Sequence, residues 1–515
     1  MKKIGILLAV LMIAVAVMGT VTPAKAAEPS DKTLRVGLAM EPTAICELIA
    51  ASSANCPFTH LLYDTLVAFD SRDQTIRPRL ADSWEIAEDS KSAVIHLNEN
   101  ATAVDGSPVT ASDVVFSFKM AKEAPTTIAT QYTYYDVDNF EIIDDHTLVV
   151  KTYEPYAGIV HSLGNKNFGV FSQHLMEEAG GAEVCAKNGA CATGAYKFVE
   201  WVEGDHITLE RRDDYFGEKG YYKYITFYFI GDGSARAMSL QSGDVDFIYG
   251  LGTALVNDIA ATPGLQVIEC QSNSIMTMHL NAGEGNENFT PNPALKDARV
   301  RKAIAYAIQK EALAMVAYDG HALPADSLAP RTSKYYEPMG DYYDLEAAKA
   351  LLAEAGYADG FTLVVNALQS ESKLCEVLQN QLAQIGITLE LNLGDIPSWQ
   401  QNAMSGSYDI YLMSRFGSQV FMTASALDGR RGPLQENYSF VDDPSIYEAI
   451  DTVYGTTDIE KGKAAYTELM QWNLENFAVI PLVETATLFG AIDTIQNASL
   501  DYNGMQCMYG WLYEE

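Results

Sequence analysis

Between residues 361 and 413 the hydrophobic period switches repeatedly between that of a strand and that of a helix, and this passage constrains the fold most tightly. Phe361 to Val365 is apolar and of strand length. Leu374, Val377, Leu378, Leu382 and Ile385 then recur at helical spacing, with Gly386 as the C-terminal stop. Ile387, Leu389, Leu391 and Leu393 alternate with Thr388, Glu390 and Asn392, the period of a half-buried strand. Pro397 to Met404 reads as a short helix and Tyr408 to Met413 as a further strand. The passage predicts a β-α-β-α-β series with right-handed crossovers, hence an α/β lobe.

Elsewhere, Leu34 to Leu38, Ala93 to Leu97 and Leu148 to Val150 read as strands, and Leu61 to Val67 as the end of a helix leading into a strand. Val300, Ile304, Ile308 and Met315 fall on one face of a helical segment predicted to end near Gly320. No repeat or low-complexity linker divides the chain, so any two lobes must be joined by crossing strands; Leu265 to Ala282 and the stretch around Ile480 to Leu488 are the candidates.

The start of the chain predicts export. Lys2 and Lys3 precede an apolar stretch from Ile4 to Met18 and a small-x-small site at Ala24-Lys25-Ala26, the pattern of a signal peptide over residues 1–26. That stretch is short for a membrane span, and no later run reaches the roughly 20 residues that hydrocarbon requires. Even without its first 26 residues, a chain of 515 exceeds what one core supports, so at least two domains are expected. With 34 basic against 68 acidic groups, the charge of −34 argues against nucleic acid and anionic membranes as partners and reads as solubility. Seven cysteines in an exported chain suggest disulfides; Cys185 and Cys191, bracketing a turn-prone loop, make the best pair, with Cys46 and Cys56 second.

Four phrases occur in a fixed order: Ala103-Val104-Asp105-Gly106-Ser107-Pro108-Val109-Thr110-Ala111-Ser112-Asp113-Val114-Val115-Phe116-Ser117-Phe118; Gly194 to Phe198 followed by Leu209 to Gly217; Ala237 to Asp246; and Val300 to Ile308. Together they resemble the extracytoplasmic solute-binding proteins of ABC importers, in the large family 5 of oligopeptide-, dipeptide- and nickel-binding proteins. The resemblance implies a two-lobed periplasmic-binding-protein fold of type II, α/β, with an extra N-terminal subdomain. It places lobe 1 at 27–270 with the subdomain embedded at about 60–185, lobe 2 at 271–483, and a return to lobe 1 at 484–515. It implies a monomer that captures a peptide, a peptide-like compound or a metal chelate between its lobes and delivers it to permease subunits in the inner membrane. Ala27, and no cysteine, follows the expected cut, so a free periplasmic protein is expected in place of a lipid-tethered one.

The resemblance also directs attention to particular residues. The stretch Asp409 to Phe421 matches the family segment that leaves a second-lobe strand and enters the cleft, which makes Arg415, Phe416 and Gln419 the leading ligand-binding residues. Arg415 has two uses open to it, a planar fork for an anionic ligand or a salt bridge at the strand end. The Asp that peptide-binding relatives use for the ligand ammonium is absent, Ser418 to Phe421 offering only neutral groups. The Arg that dipeptide binders use for the carboxylate is absent too, where the chain reads Asn366 to Ser370, and Ser414 to Gly417 is an imperfect echo of the Arg-x-Trp-Gly phrase of chelate binders. From the first lobe, Met40 follows the first strand, Asn165, Lys166 and Phe168 lie where relatives extend a loop toward the ligand, and Tyr132 belongs to an aromatic cluster with Tyr134 and Tyr135.

No chemistry-bearing motif competes with binding. There is no GxSxG elbow, P-loop, complete dinucleotide fingerprint, HExxH or calcium loop, so neither a catalytic residue, a cofactor nor a protein-built metal site is expected. The alternatives left are an exported hydrolase with an acidic cleft and a binding module feeding a sensory receptor.

Overall fold

The computed structural model describes residues 28–49, 53–70, 75–124, 127–416, 420–433, 436–500, 507 and 509–515. The expected signal peptide and Gln419 lie outside the described residues. One 11-stranded mixed sheet organises the chain. On one side, Thr33–Leu38 pairs in parallel with Tyr224–Phe229 and with Phe247–Tyr249, and a hairpin of Tyr196–Val202 and His206–Arg211 continues the edge. On the other side, Phe361–Leu368 lies in parallel between Ile387–Gly394 and Ile410–Phe416. Two long antiparallel strands, Leu265–Leu280 and Val479–Ile492, join the two sides.

These two strands serve both halves because each changes partner along its length. Phe247–Tyr249 pairs with the C-terminal end of Val479–Ile492. Ile410–Phe416 pairs with the C-terminal end of Leu265–Leu280. Between them the register slips, at Gln271/Ser274 and at Met276/Thr277. Such bulges bend a strand and re-aim its side chains, and they recur beside functional sites.

The β-α-β-α-β passage forms as its periodicity requires. Phe361–Leu368, the helix Ser372–Ala383, Ile387–Gly394, the helix Ile396–Ser405 and Ile410–Phe416 follow in order. A four-stranded antiparallel sheet, in the order Ala81–Ile86, Ser92–Leu97, Thr147–Lys151, Glu141–Asp144, forms a separate layer with the helix Ala111–Lys122. Thr110 and Asp113 make a capping box at the start of that helix, so the first motif phrase is an element boundary.

The helical segment after residue 298 differs from its expected form. It splits into Ala298–Tyr306 and Lys310–Ala317, and Met315 is 65% exposed while Val300, Ile304 and Ile308 are buried. The Gln381 side chain holds the break, accepting from the Gln309 N–H and donating to its carbonyl, both at 3.1 Å. A glutamine amide that offers a donor and an acceptor ties both backbone groups of Gln309, whose carbonyl also accepts from the Leu313 N–H at 3.3 Å. The second helix therefore takes its own axis, which carries Met315 off the shared face.

Burial does not follow chain order. One large core joins residues 34–247 with the helices Tyr447–Gly455 and Ile459–Asn476, and a second gathers residues 276–483 around the α/β passage.

Candidate ligand-binding site

The strand Ile410–Phe416 carries Arg415 opposite Ile275 of the first crossing strand, beside the register slips. The Arg415 side chain is only 4% exposed, and its Nη2 donates to Glu436 Oε2 at 2.5 Å. Of the two uses open to Arg415 in the sequence, the structure shows the salt bridge. Glu436 is a residue the sequence did not single out; it lies 21 positions away with no periodic relation to Arg415. Its backbone sits at φ +78°, the left-handed region that side chains other than glycine rarely adopt. Burial raises the pKa of the Glu436 carboxyl, and the positive charges of Arg415 and Arg431 oppose that rise.

An aromatic basin adjoins the pair. Tyr411 is stacked by Trp399 at 5.0 Å between centroids and flanked by Tyr438 at 4.6 Å and Tyr408 at 5.3 Å. The Tyr408 hydroxyl donates to the Tyr438 carbonyl and the Trp399 indole N–H to the Leu412 carbonyl, which fixes these rings. His279 is fully buried at the edge of Tyr438, with Nε2 3.1 Å from Thr277 Oγ1. Desolvation first, and the Arg415 charge second, hold its pKa well below the ordinary imidazole value, so it is neutral. Among the described residues its Nδ1 meets no hydrogen-bonding partner.

From Glu436 the cluster continues to the helix Tyr447–Gly455. Asp428 binds Arg430 and Arg431, Arg431 lies over the Tyr454 ring at 4.7 Å, and its Nη1 reaches the Tyr134 hydroxyl at 3.4 Å. Tyr134 stacks on Tyr156, and the Ala157 N–H donates to the Tyr454 carbonyl at 2.7 Å. Residues from opposite ends of the chain thus meet next to Arg415.

Other residues singled out in the sequence fare differently. Met40 is 55% exposed just after the first strand, and its neighbour Glu41 accepts from the Trp201 indole at 2.8 Å and from the Gly204 N–H. Asn165 is buried and caps the short turn Lys166–Phe168 by accepting from the Asn167 N–H. Lys166 is buried against Glu47 at 2.9 Å; burial alone would lower its pKa, but Cys56 and Glu47 outweigh that and raise it. Its charge is therefore committed inside the protein, not offered to a ligand.

Phe168, from the loop expected to extend toward the ligand, and Tyr132, of the aromatic cluster named as ligand-binding, pack in the core. Their rings lie 4.6 Å apart in a cluster with Phe118 and Tyr135, they are 1% and 3% exposed, and the Tyr132 hydroxyl donates to the Asn167 carbonyl at 2.6 Å. A tyrosine with its hydroxyl satisfied internally packs as well as a phenylalanine. Phe416 occupies the end of its strand, paired with Ser274 through the backbone.

Cys185 and Cys191 are both thiols, so the pairing expected of them is not made in this structure. Their side chains nevertheless lie within hydrogen-bonding reach, across the turn that ends the helix Ala182–Asn188. Cys46 is buried, its thiol raised to about 12 by burial. Among the described residues, no group of three or more His, Cys, Asp or Glu is placed to hold a metal, and no helix is long and apolar enough to cross a membrane.

Two α/β halves on one sheet, spanned by a pair of crossing strands with a charged and aromatic cluster beside the crossing, define a two-lobed binding protein. The type II periplasmic-binding-protein architecture of the peptide and nickel subfamily accounts for the whole arrangement. Residues 75–431 match the model of the bacterial extracellular solute-binding proteins, family 5, and the chain belongs to that family. It is similar to the glutathione-binding protein GsiB of Pectobacterium atrosepticum, 26% identical over 87% of this chain and 88% of that protein. It is similar also to the dipeptide-binding protein of Escherichia coli K12, 26% identical over 69% of this chain and 70% of the other. In fold it matches NikA from Brucella suis, solved in complex with Fe(III)-EDTA, at a TM-score of 0.80 and 20% identity, covering 94% of this chain and all of that one.

Proposed function

We propose that this chain works as the periplasmic receptor of an ABC importer, closing on a peptide, a peptide-like compound or a metal chelate and passing it intact to permease subunits in the inner membrane. The observation that carries the reading is the Arg415 cluster beside the crossing strands, where a closure motion would bring the two halves onto one ligand. The solutes named for the similar proteins, glutathione, dipeptides and Fe(III)-EDTA, all carry carboxylates, for which a guanidinium is the fitting partner. We divide the chain at the crossing strands, with lobe 1 over 27–270 and 484–515, lobe 2 over 271–483 and the subdomain within 60–185. Cleavage near Ala26 would release it as a free monomer, and Arg415, Phe416, Gln419 and Met40 are the ligand contacts we retain.

Native mass spectrometry of the protein purified from its own host, followed by thermal-shift titration with the solute found, tests the reading. A bound solute that raises the melting point as RT ln(1 + [L]/Kd) and is recovered unchanged is the expected result. Recovery of a cleaved or rearranged product would replace it with catalysis.

A further inference from the structure

The Arg415 partner is unusual in three respects. Glu436 reaches Arg415 from φ +78°, which for a residue with a side chain costs about 1–2 kcal/mol. The surrounding loop is built to impose that conformation. Asn437 Oδ1 accepts from the Ser439 and Phe440 N–H groups and its Nδ2 donates to the Asp428 carbonyl at 3.0 Å, while Phe440 also lies at φ +54°. Strain retained where the neighbours over-determine it marks a functional position. Third, Glu436 has a second cation in reach, because Arg431 acts on it from the direction of Tyr134 and Tyr454.

We propose that Glu436 is an internal stand-in for the ligand: its carboxylate occupies the Arg415 guanidinium in the empty protein, and the solute binds by exchanging a carboxylate of its own for that of Glu436. The inference rests on the solute-binding reading and specifies the chemistry of the solute, an acid presenting an unblocked carboxylate. A buried guanidinium without a counterion carries a large desolvation cost, so an empty site needs an anion. Exchange of one carboxylate for another keeps Arg415 neutralised throughout. Released Glu436 turns toward Arg431, which lowers the cost of its displacement, and because Arg431 holds Tyr134 the exchange is felt where the two ends of the chain meet.

The probes are succinate and alanine oligopeptides, the latter as free acids and as C-terminal amides, titrated by calorimetry into the full mature chain and into E436Q and R415Q. Wild type should bind the free acids about tenfold or more better than the amides. E436Q, freed of the competing carboxylate, should bind the acids about tenfold tighter still and the amides as before, and R415Q should lose the distinction. An acid-to-amide ratio that is the same in wild type and E436Q overturns the proposal while the solute-binding reading stands. Failure of all three proteins to bind any probe also overturns it, and the solute-binding reading is then decided separately by the native spectra. E436D keeps an anion for Arg415 on a shorter arm, so it serves where either glutamine variant folds poorly: the acids should bind it tighter than wild type and the amides as before, and an unchanged acid-to-amide ratio overturns the proposal.

Discussion

Lys310 is buried with its ammonium 2.6 Å from the Ala325 carbonyl and 4.2 Å from the centre of the Tyr342 ring. Desolvation drives its pKa from 10.5 down to about 7, against the pull of Asp326, Asp341 and Glu311. The sign follows directly. Below pH 7 the amine is protonated in folded and unfolded chains alike, and the folded state bears the whole cost of burying the charge. Between pH 7 and 10.5 the unfolded chain holds a proton that the folded one has shed, so stability rises with pH across that window, by on the order of 5 kcal/mol in full. K310M should therefore unfold at higher urea than wild type at pH 6, and the advantage should shrink steadily toward pH 10; parallel midpoint curves would refute the assignment. Arg415 calls for the opposite treatment. R415A leaves the partly exposed Glu436 carboxylate without its direct partner and should cost about 1–3 kcal/mol, whereas R415M combined with E436Q should recover most of it, a coupling measurable by denaturation of the four proteins. Arg415 came to notice only through the resemblance of Asp409 to Phe421 to the family segment that enters the cleft. The sequence could not show Glu436, whose role depends on a backbone angle, nor His279, which reads as one more strand residue until its burial is known.

Strands and helices were more legible than side-chain roles, because period and breakers act locally. The passage from 361 to 413 is recovered element by element, since the period changes sharply and Gly386 and Gly406 close its two helices. Gly360 and Gly386 show how tight that closure is. A Cβ on Gly360 would stand 2.0 Å from the Gly386 carbonyl oxygen, and Gly360 has φ +77°, so the paired starts of Phe361–Leu368 and Ile387–Gly394 approach only through glycine. G360A should cost about 2–4 kcal/mol in urea denaturation, well above an ordinary glycine replacement. The motif phrases are likewise structural. Arg212 donates to the Thr102 carbonyl at 2.9 Å and the Ala103 carbonyl at 2.7 Å, clasping the second phrase to the first. Arg35 pairs with Asp246 of the third, and Arg301 of the fourth donates to the Leu295 and Asn476 carbonyls. Phrases that serve the scaffold reveal the fold and are silent about the ligand. The one helix read wrongly, after residue 298, broke because a glutamine 72 positions away stabilises the break, a contact without local signal. The Cys185 and Cys191 thiols belong to the same scale. In an exported setting, an oxidised disulfide donor of the thiol-exchange class would take their two hydrogens and leave the bridge. Closing so short a loop should add on the order of 2 kcal/mol, visible as a lower urea midpoint for C185S only under oxidising conditions.

At the scale of the whole molecule the decisive fact is that the main core crosses the boundary between the proposed lobes. The helices Tyr447–Gly455 and Ile459–Asn476 belong to the second lobe by chain order and to the first by burial. Their contact with the subdomain is narrow and specific: the Ala157 N–H on the Tyr454 carbonyl, Arg431 on the Tyr134 hydroxyl, and Gly455 against Pro155. A Cβ at Gly455 would meet the Pro155 ring at 3.3 Å, a tight contact that a larger side chain turns into a clash. The two proposed lobes are thus joined at this surface by contacts that touch no proposed ligand contact, and a protein whose binding-competent form is only partly populated binds with an affinity reduced by that fraction. G455L should therefore wedge the surfaces apart while leaving the Arg415–Glu436 pair itself in place. Small-angle scattering of the free variant should give a larger radius of gyration than wild type, and the solute identified by native spectrometry should bind about tenfold more weakly, a change of about 1.4 kcal/mol. Saturating solute should restore the wild-type radius, because ligand and contact act on the same equilibrium. An unchanged radius with unchanged affinity would mean that the two halves are fused at this surface and that closure, if the molecule closes, takes place elsewhere along the crossing strands.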